Sequence, residues 1–255
     1  TIAVPAEATL TEALAASTSC DVVNVAPGTY QGNFGVPDGV LLVGAGTGVT
    51  VLDGGGAGNV VLAGDRSQIS GFTIRGSGTG HWDAGVWVGD TSSPVIANNR
   101  IEGNSMGIAA YCFEQPCTGN PMVRNNEIVG NLRAGIAIYS LTASVFNNTI
   151  LDNPVGISAD RAGTEVRNTI VAGCSEVGIT APATGTVLAY CDLWANSRDL
   201  SEGLLAGLGA LSADPQFSGA PADLSLLPGS PCRDAGDPSD AFRDRDGSRN
   251  DIGST

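Results

Sequence analysis

Three phrases in the middle of the chain are written in one order: "VIANNRIEGNSMGIAA", "MVRNNEIVGNLRAGIAIYS" and "SVFNNTILDNPVGISAD". Each runs an Asn pair, a branched aliphatic, a further Asn and then Gly-Ile. Anchored on the aliphatic after the Asn pair, the series is Ile74, Ile101, Ile128, Ile150, Ile170 and Leu193, with spacings of 27, 27, 22, 20 and 23. A second series, Gly85-Val86, Gly107-Ile108, Gly135-Ile136, Gly156-Ile157 and Gly178-Ile179, has spacings of 22, 28, 21 and 22. Two independent series with one drifting period point to a solenoid, a propeller or an array. The leucine pattern of leucine-rich repeats is missing, and a propeller blade needs about 40 residues. A coil of about 22 residues with two or three short strands fits a parallel β-helix. Roughly eight coils spaced about 4.8 Å apart make a rod about 40 Å long.

The stacking predicts what each repeated residue does. The aliphatic anchors point inward as a column. Asn sits at the bend between strands, where it tolerates left-handed backbone and bonds nearby peptide groups. Stacked amides can also bond coil to coil. The expected ladders are Asn98/Asn125/Asn147, Asn99/Asn126/Asn148/Asn168 and Asn104/Asn131/Asn153/Asn196. Thr73, Thr149 and Thr169 are expected to share a register, but Arg100, Glu127 and Asp192 interrupt it, so no regular ice-binding face is expected.

A solenoid has open ends that need covering. Residues 9–17, "TLTEALAAS", read as a short amphipathic helix plugging the first coil, with Thr9 and Glu12 in a capping-box pattern. The expected organisation is an N-terminal cap at 1–19, coils over 20–200 and an irregular C-terminal cap or tail at 201–255. The fold class is all-β.

Composition limits the partners. Net charge is −14, and all 12 basic residues are Arg. No basic stripe of a nucleic-acid binder is present. No apolar run approaches the length of a membrane span. The six Cys fit three disulfides. Cys112 and Cys117 bracket a short loop suited to a local bridge, whereas Cys20, Cys174, Cys191 and Cys232 allow three connectivities. Disulfides imply an oxidising setting, and a start at Thr1 suits a mature chain whose leader has been removed.

The stretch "TLTEALAAS…VVNVAPGTYQGNFGVPDGVLLVGAGTGVTVLDGGG" resembles the N-terminal portion of secreted right-handed parallel β-helix proteins of the pectate-lyase-like superfamily. The tail "ADPQFSGAPADLSLLPGSPCRDAGDPSDAFRDRDGSRNDIG" is similar to the C-terminal segment of bacterial cell-surface β-helix proteins. The resemblance covers nearly the whole chain. It implies the fold and leaves function open, because the superfamily holds lyases, hydrolases, esterases, epimerases and adhesins. The "GQDTL"-like phrase of its pectin esterases is missing here. Its pectate lyases use calcium held by carboxylates and a basic residue; without Lys, an Arg would have to serve. Its hydrolases use clustered carboxylates, and no such cluster is read on adjacent coils.

Two stretches carry candidate sites. "GSGTGHWDAGVWVG" holds the single His, and His81 with Asp83 is the candidate acid–base pair. Trp82 and Trp87 are candidate sugar-stacking residues. The loop "YCFEQPCTGNP" is expected two coils along, where Glu114 would join a shared groove. In the tail, "DRDGSRND" has the opening of a calcium loop, making Asp244, Asp246 and Asp251 candidate Ca2+ ligands, without the bidentate Glu of an EF-hand. No other cofactor is expected. The reading is a secreted or cell-surface structural or interaction rod that docks with other copies, as in a filament, or with surface polysaccharide. The alternative is a polysaccharide-active lyase or glycoside hydrolase.

Overall fold

The computed structural model describes residues 1–4, 9–114, 116–182, 184–244 and 246–254. Each coil runs three short strands with two bends. The fourth coil shows the plan: Val95–Ala97, Arg100–Glu102 and Met106–Tyr111. Equivalent strands pair in parallel with the coils before and after. Among the described residues this gives three parallel sheets of nine, eight and seven strands, here called A, B and C in chain order. The expected parallel β-helix of about eight coils is therefore what the chain forms.

Alternation along short strands dictates the core. In sheet A, Leu42, Ile69, Ile96, Val123, Val145 and Val166 stack in register. In sheet C, Val86, Ile108, Ile136, Ile157 and Ile179 do the same. All are buried. Each such side chain contributes about 1.5–3 kcal/mol on burial. No single coil can bury its aliphatic face alone, so the columns make the coils cooperative.

The sheet B column corrects the sequence reading at one place. It runs Ile74, Ile101, Ile128, Ile150, Val171 and Leu193. Ile170 is one residue off and faces outward, under the C-terminal tail, in register with Thr149 and Asp192. Thr169 is likewise not in the column of Thr73 and Thr149.

The same slip affects the ladders. Asn98, Asn125, Asn147 and Asn168 all have left-handed backbone, with φ of 56°, 54°, 54° and 48°. They are the outer bend residues, a conformation Asn tolerates better than most. Asn168 belongs with them, not with Asn99, Asn126 and Asn148. Those three are buried and bonded to one another: Asn99 Nδ2 donates to Asn126 Oδ1 at 3.2 Å, and Asn126 Nδ2 to Asn148 Oδ1 at 3.0 Å. Thr169 continues that ladder, accepting the Asn148 N–H. At the other bend Asn104, Asn131 and Asn153 are bonded in series. Cys174 interrupts them before Asn196, whose Oδ1 accepts the Cys174 N–H.

The first coil is closed by the helix Leu10–Ala16, with Leu10 and Leu14 buried. Thr9 is its N-cap residue, but its side chain makes no capping bond and Glu12 is exposed, so the expected capping box does not form. At the far end, parallel bridges continue past the last full coil at Leu200, Leu208 and Leu211. The tail is more than an end cap. After a small antiparallel pair, Phe217–Gly219 with Asp223–Leu226, it runs back along the flank. Leu224, Cys232 and Ile252 are buried against Val129, Leu151, Ile170 and Ala172 on the outer face of sheet B.

Only one of the three expected disulfides forms among the described residues. Cys112 and Cys117 are bonded, with Cα atoms 5.6 Å apart. Cys20 is exposed, and Cys174, Cys191 and Cys232 are buried thiols. Cys174 and Cys191 occupy interior ladder positions in different bends, while Cys232 lies outside sheet B under the tail.

Candidate functional site

The outer face of sheet C carries a run of small residues. Ala109 and Ala137 are in register with Trp87, and Ala84, Met106 and Ala134 flank them, all buried. These leave room for large rings to lie over the strands. Trp87 stacks on Tyr111 (5.1 Å between centroids, 10° between planes), and Tyr111 stacks on Tyr139 (4.8 Å, 12°). Phe113 extends the set, parallel to Tyr111 at 6.0 Å. The Tyr111 hydroxyl donates to Met106 Sδ at 3.4 Å, and Tyr139 Oη shares a hydrogen bond with Ser158 Oγ at 3.2 Å. Burial, then the neighbouring Tyr139 and Asp160, raise the Tyr111 phenol above its ordinary value. It stays neutral.

Trp82 lies across this stack. Its ring is perpendicular to Tyr111 (4.4 Å, 88°), Phe113 and Tyr139 at once. Both faces of Tyr111 are already covered by Trp87 and Tyr139. Tyr111 therefore presents its edge, and Trp82 receives it on one face. This is the favoured electrostatic arrangement for aromatic pairs, positive edge to negative face. Trp82 is 44% exposed. Phe113 beside it is 67% exposed.

His81 packs edge-on against Trp82 at 4.6 Å. It forms no acid–base pair with Asp83. The Asp83 carboxylate is committed to its own turn, accepting the Gly80 N–H at 2.7 Å. Two other carboxylates of this face are also committed: Asp90 accepts the Phe113 N–H at 2.7 Å, and Asp160 the Ser140 N–H at 2.7 Å. The Cys112–Cys117 loop follows a strand in the coil directly next to that of His81, one coil away and not two. It brings Phe113 to the site. Glu114 is exposed. The structure thus brings together His81, Trp82 and Trp87, and adds Tyr111, Phe113 and Tyr139. The missed tyrosines were signalled: both end a repeated phrase, "GIAAY" and "GIAIY", four residues after its Gly.

The acidic tail residues lie on a different flank. Asp244 accepts Asn250 Nδ2 at 2.9 Å and the Asp251 N–H at 3.2 Å. Burial foremost raises its carboxyl above the ordinary value. Asp246 is held low by Ser248, which donates to it from its hydroxyl and its N–H. Asp251 accepts the Asp234 N–H at 2.7 Å. Each carboxylate is bonded within the tail, and among the described residues no group of three or more His, Cys, Asp or Glu side chains is arranged to hold a metal ion. Among the described residues no helix is long and apolar enough to cross a membrane.

Comparison with known proteins agrees with this architecture. No curated protein matches the sequence. The solved structure of pectate lyase Pel9A superposes with a TM-score of 0.59 at 10% identity, covering 97% of this chain and 90% of that one. The A-module of the mannuronan C-5 epimerase AlgE4 of Azotobacter vinelandii gives a TM-score of 0.48 at 17% identity, over 78% of this chain and 70% of that one. At 10% identity the likeness to Pel9A is one of fold. The model of the right handed beta helix region matches residues 36–175, more than half of the chain, and the protein therefore belongs to that family.

Proposed function

We propose that this protein is a non-catalytic interaction rod, secreted or displayed at a cell surface, that binds polysaccharide on its aromatic face. The observation that carries the reading is Trp82, set perpendicular to Tyr111 and Tyr139 across the Trp87–Tyr111–Tyr139 stack and 44% exposed. A flat, pre-ordered indole offers apolar area to the C–H face of a sugar ring with little side-chain entropy left to lose. The nearby carboxylates are committed to backbone N–H groups, which favours binding over acid–base chemistry. The helix covers one rod end, and the flank carries an ordered, exposed aromatic surface, so we favour the flank over end-to-end docking. The Cys112–Cys117 bond suits an oxidising compartment.

The test is affinity electrophoresis and calorimetry against a panel of neutral and acidic polysaccharides. Retardation by at least one glycan is expected, with Trp82→Ala weakening it about tenfold, the scale of one lost aromatic contact of about 1.4 kcal/mol. Binding should survive a chelator. Release of new reducing or unsaturated sugar ends would replace this reading with an enzymatic one. Retardation that Trp82→Ala leaves unchanged would remove the platform from it.

A further inference from the structure

The bend joining sheets A and B carries two outward columns. The first is Ala97, Arg124, Phe146 and Arg167, in register on successive coils. The second is the left-handed Asn98, Asn125, Asn147 and Asn168. Over the last coils the chain's own tail fills this bend. Arg167 Nη1 donates to Asp237 Oδ2 at 3.0 Å, and the Asp237 N–H donates to Asn168 Oδ1 at 2.7 Å. One Arg–Asn pair thus grips both the carboxylate and the N–H of one Asp. Beside it, Asn147 Nδ2 donates to Asn250 Oδ1 at 2.7 Å, and Phe242 meets Phe146 edge-on at 5.5 Å.

Arg124 and Asn125 are the same pair two coils earlier. They share the register, and Asn125 shares the left-handed backbone of Asn168. Here the tail stands off and leaves a cleft. Its two lobes, about 500 and 750 Å3, share Asn98, Asn125 and Asp251. Pockets of a few hundred Å3 are the ordinary size of ligand sites. Arg124 is half-buried. Among the described residues, its guanidinium has no ion-pair partner, and the Asn125 side chain makes no hydrogen bond. Met122 stands in the register position that Glu165 holds beside Arg167, so no equivalent neighbour neutralises Arg124.

We propose that Arg124 and Asn125 form a docking site for an Asp-bearing peptide segment of a partner protein. Arg124 would take the carboxylate and Asn125 Oδ1 the N–H of the same Asp, as Arg167 and Asn168 do for Asp237. Charge-assisted Arg–carboxylate bonds are among the stronger polar contacts, and their geometry selects a planar anion. The carboxylates lining the cleft, Glu127, Asp223, Asp244, Asp246 and Asp251, oppose an anionic guest but are already bonded, Glu127 to Arg100 and the others within the tail. They hold the affinity to a modest level and make it dependent on salt. This site stands on a different flank from the aromatic platform and does not rest on that reading.

The probe is the chain's own example of such a segment, the acetylated and amidated peptide Ala-Gly-Asp-Pro-Ser-Asp-Ala of residues 235–241. It is titrated into the full chain by calorimetry and by amide chemical shifts. Expected is a Kd on the order of 0.1–1 mM. Arg124→Ala, shown by circular dichroism to be folded, should raise it about tenfold or more, and replacing the peptide residue equivalent to Asp237 by Asn should do the same. Arg124→Lys should retain part of the affinity. The proposal fails if the wild-type chain does not bind up to about 5 mM peptide. It fails equally if Arg124→Ala binds as the wild type does, which would mean the peptide merely displaces the tail from Arg167.

Discussion

The middle coils and the last coils share one plan and differ in the atoms at its polar positions. In the middle, the interior of the A–B bend is a chain of amides. Asn126 alone accepts from the Asn99 N–H and side chain and donates to Ile96, Arg124 and Asn148. In the last coils the same place is held by Thr169 and then Cys191. Thr169 gives one bond to the Arg167 carbonyl and accepts one long contact from Asn148. The Cys191 thiol faces the Val166 and Ala189 carbonyls. A primary amide has two donors and an acceptor and can satisfy the coil below and the coil above together; a hydroxyl has one donor and a thiol only a weak one, so each can make fewer of these bonds. The ladder is strong where the rod must hold itself. It weakens where the tail supplies other support, through Arg167–Asp237, Gly253–Asn168 and Ser254–Thr149.

This contrast is most directly broken by removing an amide from the middle. Asn126→Ala leaves the Ile96 and Arg124 carbonyls and the Asn99 and Asn148 side chains short of a partner in a dry interior. The expected loss is about 3 kcal/mol or more, read as a lower urea midpoint. Thr169→Ala, the same position near the end, should lose about 1 kcal/mol. Equal losses at the two sites would mean that the amide ladder has no special weight.

The last coils also bury a charge that the middle coils lack. Asp192 is fully buried beneath the tail, with the Ala213 N–H on Oδ1 at 3.0 Å and the Cys232 thiol on Oδ2 at 3.3 Å. Burial foremost raises its carboxyl above the ordinary value; the two hydrogen bonds oppose that. A carboxyl raised in the folded state contributes stability fully below its unfolded pKa, and that stability is lost as pH rises through the folded value. Asp192→Asn keeps an acceptor for Ala213 and removes the charge. It should therefore be more stable than the wild type at neutral pH by about 1–3 kcal/mol, a few degrees in Tm, with the gap closing as pH falls below the raised value. Thermal melts of both proteins across acidic to neutral pH decide it. A gap that widens on acidification would reverse the sign and discard the account.

The same two regions explain what the sequence made legible. The repeat in the middle is dense enough that spacing alone identifies the coils, the inward Gly-Ile series and the bends. Near the end, "RNTI" at 167–170 looks like "NNTI" at 147–150, and aligning the two by Thr-Ile shifts Asn168 and Ile170 by one position. The side chains do not decide this; the left-handed backbone of Asn147 and Asn168 does. A hint was present, since anchoring on Val171 turns the uneven spacings of 20 and 23 into 21 and 22. The aromatic platform was half legible. Trp82 and Trp87 stand out by type, but a ring stack depends on the alanines beneath it and on which coils are adjacent. The course of the tail was not legible at all, because it holds the rod through single residues such as Asp237, Asn250 and Ile252 that follow no period.

The smallest expected effect sharpens the comparison most, because it asks whether the end of the rod accepts the rule of the middle. Cys174 stands where Asn104, Asn131, Asn153 and Asn196 stand on other coils. Each of those amides packs against the glycine opening a strand of sheet C. A methyl built on Gly85, Gly107, Gly135 or Gly178 would meet the amide nitrogen at 2.8 to 3.3 Å, and one on Gly156 would meet Cys174 Sγ at 3.1 Å. The space beside Cys174 is therefore that of a ladder amide. Cys174→Asn should fit without moving the backbone and join Asn153 to Asn196 through one continuous series. It exchanges a buried thiol, whose ionisation burial pushes up to about 12, for two donors and an acceptor. The expected gain is about 1 kcal/mol, seen as a higher urea midpoint at an unchanged slope. Amide hydrogen exchange should slow at Asn153 and at position 174, and a variant less stable than the wild type would show that the end coils are built for the smaller thiol and that the ladder stops there for reasons of packing.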